Sequence, residues 1–152
     1  MLSPVARLFD ITRLVNRAGL RPTGVDRVEI AYLRALVSDP TPLFAVARTA
    51  LGYVLIDRAG AKRTLAAVNA DTWGQPDVIS RLNPRLTAPR RLGQSFLRKH
   101  ALARCSRHRL TRMLAAQLPS GFSYLNVGHS NLNARMFQAV GAAHKVVLIH
   151  DT

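Results

Sequence analysis

A chain of 152 residues with 48% apolar and 20% charged residues has the length for one domain and the composition of a globular rather than a disordered protein. No apolar run approaches the ~20 residues that span a bilayer, and the N-terminus from Met1 to Arg7 lacks the basic-then-apolar order of a secretory signal. A net charge of +14 makes anions the natural partners: phosphorylated ligands, lipid head groups, nucleic acid or an acidic surface.

Arg7 to Val15 reads as a first strand, with Leu8, Phe9, Ile11, Leu14 and Val15 as β-compatible bulk. Asn16 to Pro22 is a loop. Thr23 is a helix N-cap and Asp26, three residues on, completes a capping box. Val25, Val28, Tyr32, Leu33, Leu36 and Val37 then fall on one stripe of an amphipathic helix that Ser38-Asp39-Pro40 ends. Leu43 to Arg48 and Tyr53 to Asp57 read as a hairpin around Ala50 to Gly52. Leu65 to Val68 is a short element of undetermined type. Asp71 to Pro89, with Trp73, Gly74 and several prolines, is loop with at most a helical turn. The pattern predicts one helix over Arg91 to Leu118, a strand over Phe122 to Val127, a helix over Asn131 to Val140 and a last strand over Val146 to Ile149. Strand and helix alternate at both ends, which predicts an α/β, Rossmann-like, mostly parallel sheet flanked by helices. The whole of 1–152 is expected to be one domain, with a basic, irregular or helical insertion at about 71–118.

That insertion concentrates the charge. No acidic residue lies between Asp77 and Asp151, and Arg90, Arg91, Arg98, Lys99 and Arg104 form the expected anion-facing surface. Leucines interleaved with these arginines suit an amphipathic element lying on acidic lipid. Nucleic acid is disfavoured, because the segment has a single aromatic, Phe96, and no recognition motif. The lone Cys105 cannot form an internal disulfide and implies a reducing compartment, the cytoplasm or the inner face of its membrane.

In an open α/β sheet the ligand crevice lies outside the carboxyl ends of the strands. Three loops are expected there: Asn16 to Gly24, Gly128 to Asn131, and His150-Asp151-Thr152. Gly24 can let backbone approach a ligand, although Asp26 and Glu29 in the following turns argue against a plain phosphate cradle. His129, Ser130, Asn131, His150 and Asp151 make a polar rim suited to sugars or phosphates. No paired Cys or His stands at metal-ligand spacing, no G-x-G-x-x-G follows the first strand, and Glu29 is the only glutamate, so neither metal nor cofactor is expected.

Leu8-Phe-Asp-Ile-Thr-Arg-Leu14 followed by Pro22-Thr-Gly-Val-Asp-Arg-Val-Glu-Ile-Ala-Tyr-Leu-Arg-Ala-Leu36 resembles the opening of bacterial glycosyltransferases of the two-Rossmann-domain (GT-B), retaining, family-four-like group. Ser123-Tyr-Leu-Asn-Val-Gly-His-Ser-Asn131 and Val147-Leu-Ile-His-Asp151 resemble two later strand ends of the same N-terminal domain. The matches cover about a third of the chain, at its two ends. The resemblance implies the N-terminal, acceptor-side half of a GT-B architecture that moves a sugar from a nucleotide-sugar donor to a glycan or lipid-linked acceptor, as in polysaccharide biosynthesis. It implies that Gly24 lies near the donor diphosphate, and that His129, Ser130, Asn131, His150 and Asp151 border the acceptor cleft, with His150 as the catalytic candidate. The C-terminal donor-binding domain, with its paired glutamates, is not in these residues, so they are expected to be inactive alone. The competing expectation is a basic, non-catalytic module for anionic membrane surfaces.

Overall fold

Alternation along the strands sorts the core into two layers. In the strand Leu43–Thr49 (β2), Ala45 and Ala47 belong to one apolar cluster and Val46 to the other. Ala6–Asp10 (β1) divides likewise, with Phe9 on the first side and Leu8 on the second. So does Gly52–Asp57 (β3), with Val54 and Ile56 opposite Tyr53 and Leu55. Strands buried on both faces need helices on both, and this is what the period of two imposes.

The computed structural model describes residues 5–128, 136, 138, 139 and 146–148. Its six-stranded sheet has the order β4-β3-β2-β1-β5-β6, where β4 is Ala103–Cys105, β5 Phe122–Asn126 and β6 Val146–Leu148. β1 pairs in parallel with β2 and β5, and β5 with β6; β2–β3 and β3–β4 are antiparallel. The fold is therefore α/β with a mixed sheet. The expected parallel core is present, and the β2–β3 hairpin adds the antiparallel side.

On the first face lie the helices Thr12–Asn16 (α1), Gly24–Ser38 (α2), Arg58–Ala70 (α3) and Ala88–Lys99 (α5), each contributing to the cluster around Phe9 and Leu33; between α3 and α5 runs a single turn, Val78–Arg81 (α4). On the second face lies Leu110–Gln117 (α6), with Met136 and Ala139. Thr23 caps α2 through a complete box: its hydroxyl accepts the Asp26 amide at 3.3 Å, and the Asp26 carboxylate accepts the Thr23 amide at 2.8 Å. The helix ends before Asp39, as expected.

Two expectations are corrected, and one open assignment is filled. The first strand stops at Asp10, whose carboxylate accepts the Thr12 amide at 2.9 Å and starts α1. Ile11, Leu14, Val15 and Ala18 are all buried at helical spacing, so the apolar run from 11 to 15 serves a helix. The untyped element Leu65 to Val68 lies inside α3, begun by Asp57, which accepts the Gly60 amide at 2.9 Å. Most consequentially, Arg91 to Leu118 is not one helix.

Leu92, Phe96 and Leu97 pack on the first face and Leu110, Met113 and Leu114 on the second. One straight helix cannot reach both sides of a sheet. The chain leaves α5 at His100, and Leu102 donates its amide to the Leu55 carbonyl at 2.8 Å. It then adds β4 as an edge strand and turns through Arg107–Arg109 into α6. Gly52, at φ +119°, permits this: a Cβ there would stand 2.2 Å from the Cys105 carbonyl oxygen. Among the described residues, no helix is long and apolar enough to cross a membrane.

Candidate functional site

β1 passes to β2 through α2 on the first face, while β5 is followed by Met136 and Ala139 on the second face before β6. The chain thus departs in opposite directions from the adjacent pair β1 and β5. That pair is a topological switch point, where strand-end loops diverge and leave a crevice.

A buried polar chain occupies it. Tyr124 donates its hydroxyl to Asp10 Oδ2 at 2.5 Å and accepts from Asn126 Nδ2 at 2.9 Å, while Asp10 Oδ1 accepts the Thr12 amide at 2.9 Å. Burial, then the Asp10 carboxylate, pushes the Tyr124 phenol far above its ordinary value, so it remains a hydrogen-bond donor. Beside them stands Glu29, fully buried, with neither carboxyl oxygen in a hydrogen bond of normal geometry. Burial and the Asp10 and Asp26 charges push its pKa up to about 8, against the smaller opposing influence of Arg13 and the Leu14 amide. Glu29 is thus a carboxylic acid kept neutral at physiological pH. A Cβ on Gly128 would stand 3.0 Å from Glu29 Oε2 and from Arg13 Cβ, so the β5 terminus closes directly over this group. Burial opposes ionisation of Asp26, but the Thr23 amide and Arg17, whose Nε donates at 2.8 Å, outweigh it and hold its carboxyl low.

Along the same edge, toward β2, opens a cleft of about 520 Å³ floored by Thr12, Asn16 and Gln94 and lined by Arg48, Arg85, Arg90 and Arg107. No acidic side chain lines it. Among the described residues, none of these four guanidinium groups makes a hydrogen bond or ion pair. Its floor is rigid: buried Gln94 accepts the Ala50 amide at 3.0 Å and donates to Asn16 Oδ1 at 3.1 Å, and Thr12 Oγ1 accepts the Arg48 amide at 3.1 Å. A second cleft of about 500 Å³ shares Asn16 and Arg90 with the first and adds Arg13 and Arg17.

Of the expected anion-facing residues, Arg90 alone lines these clefts. Lys99 and Arg104 are exposed elsewhere. Arg91 is half-buried and donates to the Asn83 carbonyl at 3.1 Å. Arg98 is corrected: its side chain is 5% exposed, clamped on Asp77 at 2.8 and 2.9 Å and on Ser80 Oγ at 2.5 Å, and it presents no charge to solvent. Arg98 in turn holds the Asp77 carboxyl well below the usual range. Arg98→Ala is expected to cost about 1–2 kcal/mol, moderated by water reaching the half-exposed Asp77. Because the folded Asp77 pKa is depressed, this contribution is present above the unfolded value of 3.8 and lost as pH falls below it toward the folded one. Urea titrations should show Arg98→Ala nearing the parent in stability as pH drops from 5 to 2, and a gap unchanged with pH would refute the ion pair.

Gly24 sits exposed at the first position of α2, with open space around a built Cβ, and lines neither arginine cleft. His129, Ser130, Asn131, His150 and Asp151 lie outside the described residues. Burial raises the Cys105 thiol pKa, which disfavours the nucleophilic thiolate. Among the described residues no group of three His, Cys, Asp or Glu could hold a metal ion. Sequence reasoning missed Arg48, Arg85 and Arg107 as a set, since they come from three separate segments. It also missed Glu29, although Asp26, Glu29, Leu33 and Leu36 share one helical stripe and are all buried. No family model, curated protein or solved structure matches this chain.

Proposed function

We propose that this chain is the acceptor-side, Rossmann-like domain of a GT-B glycosyltransferase that uses a nucleotide-sugar donor. The observation that carries the reading is the switch point between β1 and β5, with an arginine cleft beside it on the same carboxyl edge. The residues that resemble the glycosyltransferase group, Leu8 to Leu14 and Ser123 to Gly128, are the ones that build this point. Transfer from a nucleotide-sugar is driven mainly by stabilising the departing diphosphate. The only glutamate, Glu29, is sealed in the core and cannot reach a substrate. The domain's part is therefore to hold and orient the acceptor, leaving donor activation to residues outside this chain.

Two measurements test this. The chain alone should show no transfer from UDP- or GDP-sugars, and turnover would overturn the division of labour. Titration of isotope-labelled protein with glycan acceptors should shift the amides of Thr12, Asn126 and Gly128. Shifts confined to the opposite, amino edge of the parallel strands would overturn the acceptor reading.

A second reading, a non-catalytic module for anionic membrane surfaces, draws support from exposed Lys99, Arg104 and Arg109 around Leu102, which is 45% exposed. Liposome flotation separates the two: equal binding to neutral and anionic vesicles would remove the electrostatic mechanism.

A further inference from the structure

We infer that the arginine cleft and the apolar ledge beside it form one site for a phosphorylated lipid, with the diphosphate or phosphate head among Arg48, Arg85, Arg90 and Arg107 and the hydrocarbon chain on Leu51, Ile79 and Leu82. The inference rests on the acceptor-side reading and gives the acceptor its chemical class.

The ledge is a shallow depression of about 250 Å³ walled by Leu51, Ile79, Leu82 and Pro84, with the largely buried Arg98, held on Asp77, also at its wall. It is continuous with the cleft, sharing Ala50, Asn83 and Leu86. Leu82 is 77% exposed, Leu51 57% and Ile79 47%, a concentration of bare aliphatic surface that a folded chain otherwise buries. Single exposed aliphatic residues need no explanation, but three in one depression that opens onto four unpaired guanidinium groups do. Arginine matches phosphate oxygens with paired N–H donors, and the aliphatic wall matches a chain attached to that phosphate. A hydrophilic phosphate ester would use the cleft and leave the ledge bare. A flat membrane surface would touch the ledge but could not enter a cleft with Thr12 and Gln94, both buried, at its floor.

The local framework keeps the two halves together. α4 is pinned to α5 by the Asp77, Ser80, Ser95 and Arg98 network, in which Ser95 Oγ accepts the Asp77 amide at 2.9 Å and donates to Ser80 Oγ at 3.0 Å. Ile79 and Leu82 are thereby held beside Arg90, which α5 itself carries. Leu51 comes from the β2–β3 turn, one residue from Ala50, whose amide is fixed by Gln94. The ledge is thus preformed and fixed to the cleft.

The test is isothermal titration of the full chain with farnesyl diphosphate, inorganic pyrophosphate and farnesol at matched ionic strength. Farnesyl diphosphate is expected to bind about tenfold or more tightly than pyrophosphate, and farnesol weakly. Arg90→Gln should weaken both diphosphates by roughly tenfold. Leu82→Ser should weaken farnesyl diphosphate by about fivefold and leave pyrophosphate within about twofold. Arg112→Gln, on the exposed side of α6 away from the cleft, should leave all three within about twofold. Equal affinity for the two diphosphates would overturn the inference, as would an Arg112→Gln loss as large as that of Arg90→Gln. Binding to phosphatidylglycerol vesicles without binding of farnesyl diphosphate would assign the patch to a membrane surface instead, and also overturn it. Because no sugar is present, lipid binding can succeed where glycan-induced shifts fail, so the two proposals fail separately.

Discussion

Gly93→Ala is expected to destabilise the protein by about 3 kcal/mol or more, near the upper end of single-residue overpacking effects. Gly93 lies in the body of α5, where glycine ordinarily costs about 1 kcal/mol relative to alanine. Its presence is explained by α1: a Cβ at 93 would stand 1.7 Å from the Val15 carbonyl oxygen and 2.6 Å from its carbon. Both obstacles are backbone, so no rotamer change relieves the clash and the helices must separate. Separation would lift Gln94 from Ala50 and Asn16 and carry Arg90 out of the cleft. Urea unfolding of Gly93→Ala should therefore show a large drop in midpoint, along with weaker pyrophosphate binding in the protein that remains folded. Gly24→Ala is the natural control: its Cβ meets open space, and stability should stay within about 0.5 kcal/mol. A loss below about 1 kcal/mol for Gly93→Ala would show that the two helices are not in this close approach.

The second large effect concerns Glu29. Its folded pKa of about 8 lies above the ordinary value of 4.5, so folding takes up a proton between those two pH values. Stability from this group is intact below pH 4.5 and is lost as pH rises through 8, with a slope of up to about 1.4 kcal/mol per pH unit. Glu29→Gln keeps the shape and removes the titration. Relative to the parent, the variant should gain roughly 3 kcal/mol on going from pH 5 to pH 8. The change in the difference is the decisive quantity, since a buried amide without partners carries a pH-independent cost of its own. Parallel stability curves for the two proteins across that range would show that Glu29 is solvated.

Much of the frame was legible from local chemistry. The Thr23–Asp26 box, the stop at Asp39 and the β2–β3 hairpin follow from side chains that act on neighbours a few residues away. The errors share a different cause. Ile11 to Val15 can serve a strand or a helix, and the Asp10 carboxylate at the Thr12 amide marks where the strand gives way to the helix. Arg91 to Leu118 carries helical spacing at each end, but the two apolar sets face opposite sides of the sheet, a fact visible only once β3 has an edge to extend. Of the residues expected to border the site, 129–131, 150 and 151 lie outside the described residues, and Gly24 lines neither arginine cleft. The carboxyl edge could be named from strand ends, whereas Arg48, Arg85, Arg90 and Arg107 meet through tertiary packing that leaves no periodic trace. Arg98 was misjudged for the converse reason: Asp77, its partner, lies 21 positions away along the chain.

The parallel pairing of β1 with β5 has a consequence for how the chain assembles. Ala6 pairs with Phe122, so the middle of the sheet joins segments from opposite ends of the sequence. During synthesis β1 can dock on β2 early, through the α2 crossover, but its other edge stays open until β5 has emerged. Such a long closure makes folding slow relative to domains of local contacts, and it leaves an apolar strand edge bare in the meantime. The junction of β1 with β5 can therefore form only after most of the chain has emerged.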